Sequence, residues 1–233
     1  MPNKNTSNIL AIDAATEACS VALSFKGQSY SDFTVCPQQH SQRLLPMIEA
    51  VLKKAGASLS DVDYLAYGQG PGSFTGIRIA TGMMQGLAMG AEIPVIGLST
   101  LAIMAQQAMD EHGVEQVVSA IDARMNEVYL AKYIKKDGVA VLQDDEQVLP
   151  PGSALSAFEQ SSGIAAVGTG WKAYEELSDL SLTYYSEILY PNALYMLPLA
   201  EVALVNGLSV PVEHAQPTYL RDKVTWKKLP GRE

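Results

Sequence analysis

Apolar and polar residues alternate along the first hundred positions in a way that predicts strands first, then alternating helices and strands. Two apolar runs flank a polar turn between residues 8 and 25, which is typical of a β-hairpin, and a third run occupies 28–35. The elements predicted after them are a helix at 41–55, a strand at 62–67, a helix at 75–90 and a strand at 93–97. In the first helix we expect Pro46 near the start, where proline is tolerated, and Gly56 at the end.

The second half of the chain repeats this order. Its predicted elements are a helix at 101–111, strands at 116–122, 127–135 and 139–144, a helix at 153–160, a strand at 165–167 and an apolar helix at 194–206. Strand triplets followed by helices and strands, twice over, predict an α/β protein of two like-built subdomains. We expect the boundary between them near residues 99–100.

A glycine-rich segment at 67–78 and the helix after it are the most unusual part of the pattern. The helix carries Gly82, Gly86 and Gly90 four residues apart, so they share one face. Each costs about 1 kcal/mol relative to alanine in a helix. The face therefore has to touch something closely, either the protein's own sheet or a helix of a second subunit. The rest of the helix is apolar almost all round, which favours the second subunit.

Composition and charge narrow the classes of function. Hydrophobic residues make up 48% of the 233 positions and charged residues only 18%, which suits a large core and a covered apolar surface. The net charge of −9 disfavours unassisted nucleic-acid binding. The tail at 221–233 is the exception, with five basic against two acidic residues, a net +3. It either docks on an acidic partner or RNA, or is a solvated terminus.

The cysteine content and the lack of a long apolar segment indicate the cellular compartment. Two cysteines, Cys19 and Cys36, suit a reducing cytosol and form no disulfide framework. The polar start is not a signal peptide, and the apolar stretch 82–98 is too interrupted to span a bilayer. We therefore predict a cytoplasmic protein without a membrane segment.

Candidate chemistry is sparse and concentrates in turns. Asp13 ends the first strand, where it can hold hydrated Mg²⁺ or simply satisfy turn amides. Gly168 and Gly170 follow a strand and can approach an adenine or a ribose, which makes the three residues weak cofactor candidates. The two hairpin turns lack the glycine that phosphate binding favours. Arg124, in the second turn, can bind an anion or pair with a neighbouring carboxylate.

We expect neither a catalytic residue nor a metal site. The three histidines are far apart, and the sequence has no His-x-x-x-His, His-Glu-x-x-His or Gly-x-Ser-x-Gly motif. Cys19 lies in an apolar strand and is expected in the core. His40, at a helix start, is expected to cap the helix or to lie in an interface.

Segments 9–16, 68–79, 121–129, 217–221 and 226–233 together resemble the TsaB (YeaZ) family over essentially the whole chain. The resemblance implies an actin/hexokinase-like, ribonuclease H-like fold with subdomains at 1–99 and 100–233. It implies a scaffold that activates the paralogue TsaD, which transfers threonylcarbamoyl to adenosine 37 of tRNAs reading ANN codons. TsaD-like chains carry a His-x-x-x-His motif where this chain has residues 99–105, without histidine. The resemblance thus also implies a subunit without its own catalytic site.

The resemblance further implies partners and an interface. The partners are TsaD as a heterodimer, the TsaE ATPase, a functional link to TsaC or TsaC2-type adenylate synthases, a second copy when TsaD is absent, and tRNA through the complex. Any ATP or ADP binding is expected to be weak and mainly within the complex. The expected interface residues are His40, Leu44, Leu45, Ile48, Leu52, Phe74, Ile77, Gly82, Met83, Gly86 and Gly90.

Two other functions remain open. One is an ATP-using enzyme of the same fold, which the glycine-poor turns disfavour. The other is a peptidase, because relatives have carried a glycoprotease label, although the sequence reveals no nucleophile and base pair.

Overall fold

The computed structural model describes residues 7–158, 163–179 and 182–221. Residues 222–233, which hold most of the basic tail, lie outside the described residues. The expected role of that tail therefore stays a prediction.

The first sheet has five strands in the order β3-β2-β1-β4-β5. They are β1 (Ile9–Asp13), β2 (Ala18–Phe25), β3 (Gln28–Val35), β4 (Tyr64–Gly70) and β5 (Val95–Ser99). The first three pair antiparallel, and β4 and β5 run parallel to β1. Helix α1 (His40–Ala55) leads from β3 to β4, and α2 (Phe74–Ala91) leads from β4 to β5.

The second sheet repeats this topology. Its strands are β6 (Gln116–Asp122), β7 (Val128–Lys136), β8 (Val139–Leu142), β9 (Gln147–Leu149), β10 (Ala165–Val167) and β11 (Thr183–Tyr184). The order β8-β7-β6-β10-β11 again places an antiparallel meander beside two parallel strands, and β9 adds to β7. This duplication confirms the predicted α/β fold of two like-built halves.

The remaining helices connect and cover the sheets. They are α3 (Thr100–His112), α4 (Pro151–Phe158), α5 (Gly170–Ala173) and α6 (Met196–Val205), with short 3-10 helices at Leu59–Asp61, Glu175–Asp179, Ala193–Tyr195 and Val212–His214. The largest apolar cluster joins α3 and α6 to strands of both sheets. After α6 the chain returns to the first sheet, where Val210 bridges Val95. The two sheets divide at residues 99–100, whereas the segment after Ala193 packs back on the first subdomain.

Local signals explain most element boundaries. Gly56 ends α1 in the left-handed conformation, φ 65°, which glycine adopts without a Cβ clash. The Ser73 hydroxyl caps α2 by accepting the Gly76 N–H. Two expectations were wrong. Helix α1 begins at His40, so Pro46 lies well inside the helix. Strand β4 continues to Gly70, because its backbone keeps pairing with β5 through the first glycines.

Candidate functional site

A cleft of about 930 Å³ opens where the two subdomains meet. Its walls come from the β1–β2 turn, the start of α1, the glycine-rich loop before α2, the β6–β7 turn and the segment at 218–221. Arg124 crosses the cleft to Glu17, with Nη2 3.1 Å from Oε1. The carboxylates in and beside this cleft decide whether it can hold a cation.

Asp13 does not fit a hydrated magnesium ion. Its side chain is fully buried, and Oδ1 accepts the Ala15 N–H at 3.0 Å. Oδ2 has no hydrogen-bond partner among the described residues and lies so close to Gly68 that a Cβ there would be 1.7 Å away. Burial raises the pKa of Asp13 to about 7, only partly opposed by the Ala15 bond. The carboxyl is therefore buried inside the first subdomain, which favours the second of the two expectations, that Asp13 satisfies a turn amide.

Asp122 occupies the equivalent position at the end of β6, and it is already paired. Oδ1 accepts the Arg124 N–H at 2.8 Å, as Asp13 does from Ala15, and also the Tyr174 hydroxyl at 2.9 Å. Oδ2 lies 2.9 Å from Nη1 of Arg124. A carboxylate with these partners has little capacity left for a cation.

The β6–β7 turn is a poor phosphate cradle. Arg124, Met125 and Asn126 all have positive φ, at 61°, 57° and 61°, in a region where side chains are strained. Arg221 pairs with Glu127 at the end of the turn and donates to the Arg124 carbonyl at 3.4 Å. Both arginines of the cleft wall thus have acidic partners within the protein.

Gly168 and Gly170 lie closely packed against β6. A Cβ on Gly168 would lie 2.2 Å from the Ala120 carbonyl oxygen, and one on Gly170 would lie 3.0 Å from the Ala120 side chain. Only the residue between them, Thr169, lines the cleft. These glycines let β10 and α5 pack against β6, and their approach to a cofactor stays a prediction.

Three glycines of α2, in contrast, have open space where a side chain would be. At Gly82, Gly86 and Gly90, which we call the glycine face, an added Cβ would meet nothing within 4 Å. The other side of α2, including Ile77 and Met84, is buried against the first sheet. The interpretation that the glycine face packs on the protein's own sheet is thus wrong for the described residues. The face is open to a partner.

Several apolar side chains of α1 and α2, the helices that form the expected interface, are exposed or only half-buried. Met89, Phe74 and Leu45 are 69%, 55% and 40% exposed, and Met83 and Leu52 are half-buried. Exposed apolar groups gathered in one region are typical of interaction sites.

Three expected interface residues lie elsewhere. Leu44 is fully buried, and Ile48 and Ile77 are each 1% exposed, because they form the side of α1 and α2 that faces the sheet. They belong to the core and are withdrawn from the predicted interface. His40 is half-buried, and its Nε2 donates to the Thr16 carbonyl at 2.7 Å.

An arginine between two aromatic rings links the glycine face to the cleft. The Arg78 guanidinium lies 3.7 Å from the centre of the Phe74 ring, and Nε donates to the Tyr219 hydroxyl at 2.8 Å. Arginine and aromatic residues are enriched where interfaces gain most of their binding energy. Sequence reasoning missed this group because Tyr219 lies 141 positions from Arg78.

The structure also gathers side chains that the sequence left apart. Cys19, Cys36 and His40 place their potential ligand atoms within 4.8 Å of one another. The expectation of no metal site was formed from histidine spacing alone, which could not find this cluster.

None of the described helices is long and apolar enough to cross a membrane. The predicted cytoplasmic location stays a prediction.

Comparisons with known proteins agree on one family. A family model described as TsaD, tRNA N6-adenosine threonylcarbamoyltransferase, matches residues 34–228. The tRNA threonylcarbamoyladenosine biosynthesis protein TsaB of Escherichia coli is 50% identical over 229 residues, covering 97% of this chain and 99% of that protein. TsaB of Haemophilus influenzae is 45% identical, covering 97% and 98%. A crystal structure from Pseudomonas aeruginosa, described as similar to peptidase YEAZ, superposes with a TM-score of 0.87 at 45% identity, covering 92% and 100%.

Proposed function

This chain belongs to the TsaB family, and from that membership we propose that it is a non-catalytic partner subunit of a TsaD-type transferase. In this role it supports threonylcarbamoyl transfer to adenosine 37 of tRNAs that read ANN codons. The relatives are named for tRNA threonylcarbamoyladenosine biosynthesis, and the matching family model is named for the transferase. The partner would thus be a paralogue of the same fold.

The open glycine face is the observation that supports this proposal most. Three glycines lower the stability of the helix, although a side chain at each position would meet nothing within 4 Å in the described chain. A helix from a partner could approach this bare backbone closely, and Met83, Met89 and Leu45 would add apolar area. A specific interface needs about 800 Å² on each side.

The same face accounts for self-association when TsaD is absent. Two copies can pair glycine face to glycine face about a two-fold axis, since such an interface uses one patch twice. The two pairings would then compete, because each covers α1 and α2.

The cleft supports the non-catalytic part of the proposal. Asp13 is sealed, Asp122 is paired with Arg124, and neither hairpin turn offers a glycine cradle. The cleft is still of a size that ligand pockets have, so we include weak ATP or ADP binding, mainly within the complex, without turnover. An ATP-using enzyme of this fold is the alternative. Calorimetric binding at micromolar ATP, with turnover abolished by Asp13→Ala, would favour it.

A peptidase has less support. Cys19 and Cys36 lie near His40, but both thiols are buried, and burial raises the pKa of Cys19 well above its ordinary value. A nucleophilic cysteine needs an exposed thiol with a lowered pKa. The described residues therefore hold a cysteine–histidine pair that lacks the properties of a catalytic one.

The remaining partners enter through the complex. We propose that TsaE joins the pair as its ATPase, that a TsaC-type or TsaC2-type enzyme supplies the threonylcarbamoyl-adenylate, and that tRNA is met mainly through the assembled complex in the cytoplasm. The net charge of −9 agrees with indirect rather than unassisted tRNA binding.

The experiment replaces the glycine face by bulky side chains. The double variant Gly82→Leu, Gly86→Leu is titrated against a TsaD protein, and the dissociation constant is measured by calorimetry or sedimentation. We expect pairing to weaken by at least about 100-fold, since the side chains hold the helices apart. Gly152→Leu is the matched control, because its added Cβ also meets nothing within 4 Å. Unchanged pairing of the double variant would contradict the proposal.

A further inference from the structure

Three chain segments meet at one buried corner of the first subdomain. Cys19 lies on β2, Cys36 follows β3, and His40 is the first residue of α1. The Cys36 N–H donates to the Glu17 carbonyl at 2.9 Å, which holds it beside β2. Sγ of Cys19, Sγ of Cys36 and a ring nitrogen of His40 lie within 4.8 Å of one another, and the two thiols are close enough to hydrogen-bond.

A strained turn brings the last two residues together. Only Pro37, Gln38 and Gln39 separate Cys36 from His40, and Gln38 has a φ of 63°, which disfavours non-glycine residues. The Gln39 N–H closes the turn on the Cys36 carbonyl at 3.0 Å. Strain of this kind persists where the surroundings impose it, often at functional sites.

The imidazole makes the kind of hydrogen bond that metal-binding histidines usually make. Nε2 of His40 donates to the Thr16 carbonyl at 2.7 Å, so Nε2 carries the proton and Nδ1 carries the lone pair. Metal-binding histidines usually donate their other ring N–H to a carbonyl or carboxylate in this way. Thr16 also has a buried hydroxyl that has no hydrogen-bond partner among the described residues. A second polar atom of Thr16 is thus available beside the cluster.

From this geometry we propose that Cys19, Cys36 and His40 form a zinc site. Two thiolates and an imidazole are ligands that Zn²⁺ prefers, and three protein ligands leave one tetrahedral position open. His40 and Thr16 also line the cleft, so water or a partner's side chain can supply the fourth ligand. On binding, each thiol releases its proton to solvent and becomes a thiolate. The ion would tie the start of α1 to the end of β3, and this proposal does not depend on the proposed pairing.

The test uses the full chain, reduced with a phosphine, stripped with a chelator and titrated with Co²⁺ and then Zn²⁺. We expect one metal per chain, a thiolate-to-cobalt absorption band in the near ultraviolet, the strong visible bands of tetrahedral cobalt, and release of about two protons per zinc. His40→Gln and Cys36→Ser should weaken zinc binding by more than the roughly 10- to 100-fold that loss of an outer-shell partner costs. His214→Gln, an exposed histidine away from the cluster, is the control.

Three results would overturn the proposal. One is a cobalt spectrum of the unsubstituted chain without a thiolate band. Another is equal zinc affinity of the unsubstituted chain and of His40→Gln. Because His40 is half-buried, this variant is expected to fold even if Cys36→Ser does not. A Cys19–Cys36 disulfide that persists under the reducing conditions and excludes metal would equally count against it.

Discussion

The cleft and the glycine face use the same residue type for opposite purposes. At the cleft, glycines are packed against the chain itself: a Cβ on Gly72 or Gly76 would lie 2.2 or 2.1 Å from the carbonyl oxygens of Ala15 or Ala14. On α2, only a few residues later, a Cβ on Gly82 or Gly86 would meet nothing. The first group is explained by the fold. The packing of the described residues gives no reason for the second group, which agrees with the proposed partner.

The two regions also differ in their charged groups. At the cleft, Asp13 is buried, Asp122 and Glu17 are paired with Arg124, and Arg221 is paired with Glu127. The carboxylates of the region that looks like an active site are therefore already buried or paired. The glycine face has no such chemistry to offer, yet it is open. This difference agrees with a function that depends on the glycine face of α2 more than on the cleft.

Neighbouring leucines on α1 give the largest contrast. Leu44 is fully buried and Leu45 is 40% exposed. We expect Leu44→Ala to lower the free energy of unfolding by about 2–5 kcal/mol, because it removes core contacts and leaves a cavity. Leu45→Ala should change it by no more than about 0.5 kcal/mol and instead weaken pairing. Urea unfolding of the two variants measures this, and equal losses would place both residues in one environment.

The buried carboxyl of Asp13 makes the stability of the folded protein depend on pH. The pKa of Asp13 is raised to about 7 in the folded state, so the folded protein holds a proton that the unfolded chain releases near pH 4. Its contribution to stability is fully present below pH 4 and is lost as the pH rises through 7. Between pH 5 and 8 we expect a loss of about 2.5 kcal/mol.

Asp13→Asn cannot titrate and should flatten this part of the pH profile, while the Asx-type bond to Ala15 is kept. Urea unfolding at several pH values measures the slope. A variant with the same slope as the unsubstituted chain would show that Asp13 is ionised in the fold and reachable by solvent.

A single methyl group distinguishes the two kinds of glycine. Gly86→Ala should raise the stability of the isolated chain by up to about 1 kcal/mol, because alanine favours the helix and its Cβ meets open space. Gly76→Ala, in the same helix, should lower it, since the Cβ clashes with the Ala14 carbonyl. Thermal unfolding of both measures the sign, and a loss in Gly86→Ala would mean that the glycine face is covered within the chain.

Loss of the ion pair across the cleft is expected to change stability least. The side chains of Arg124 and Glu17 are 74% and 39% exposed, so solvent screens their attraction. Glu17→Gln should change stability by less than about 0.5 kcal/mol and lose even that difference at high salt. A larger change would mean that this bridge holds the two subdomains together.

Much of the fold followed from the sequence. Alternation and helical spacing located most strands and helices, and the repeated order predicted two like sheets. The pattern did not reveal β9, β11 or α5, because elements of two to four residues carry too little periodicity. The resemblance placed Leu44, Ile48 and Ile77 in the interface, and apolar spacing could not correct this because it does not say which side of a helix faces the sheet.

The site was less predictable for a physical reason. The close contact of Asp13 with Gly68 and the meeting of Cys19 with Cys36 and His40 depend on how strands pair, which local sequence does not encode. The glycine spacing of α2 is visible in the sequence, but only the three-dimensional structure shows that its face is open.

Reconstituted formation of threonylcarbamoyladenosine on tRNA tests the role of the glycine face most directly. A TsaD-type transferase and its adenylate donor are combined with this chain as the unsubstituted protein, as Asp13→Asn, or as Gly82→Leu, Gly86→Leu. We predict that Asp13→Asn supports modification as well as the unsubstituted chain and that the glycine variant does not. Full modification with the glycine variant, together with none from Asp13→Asn, would contradict a non-catalytic partner that works through α2.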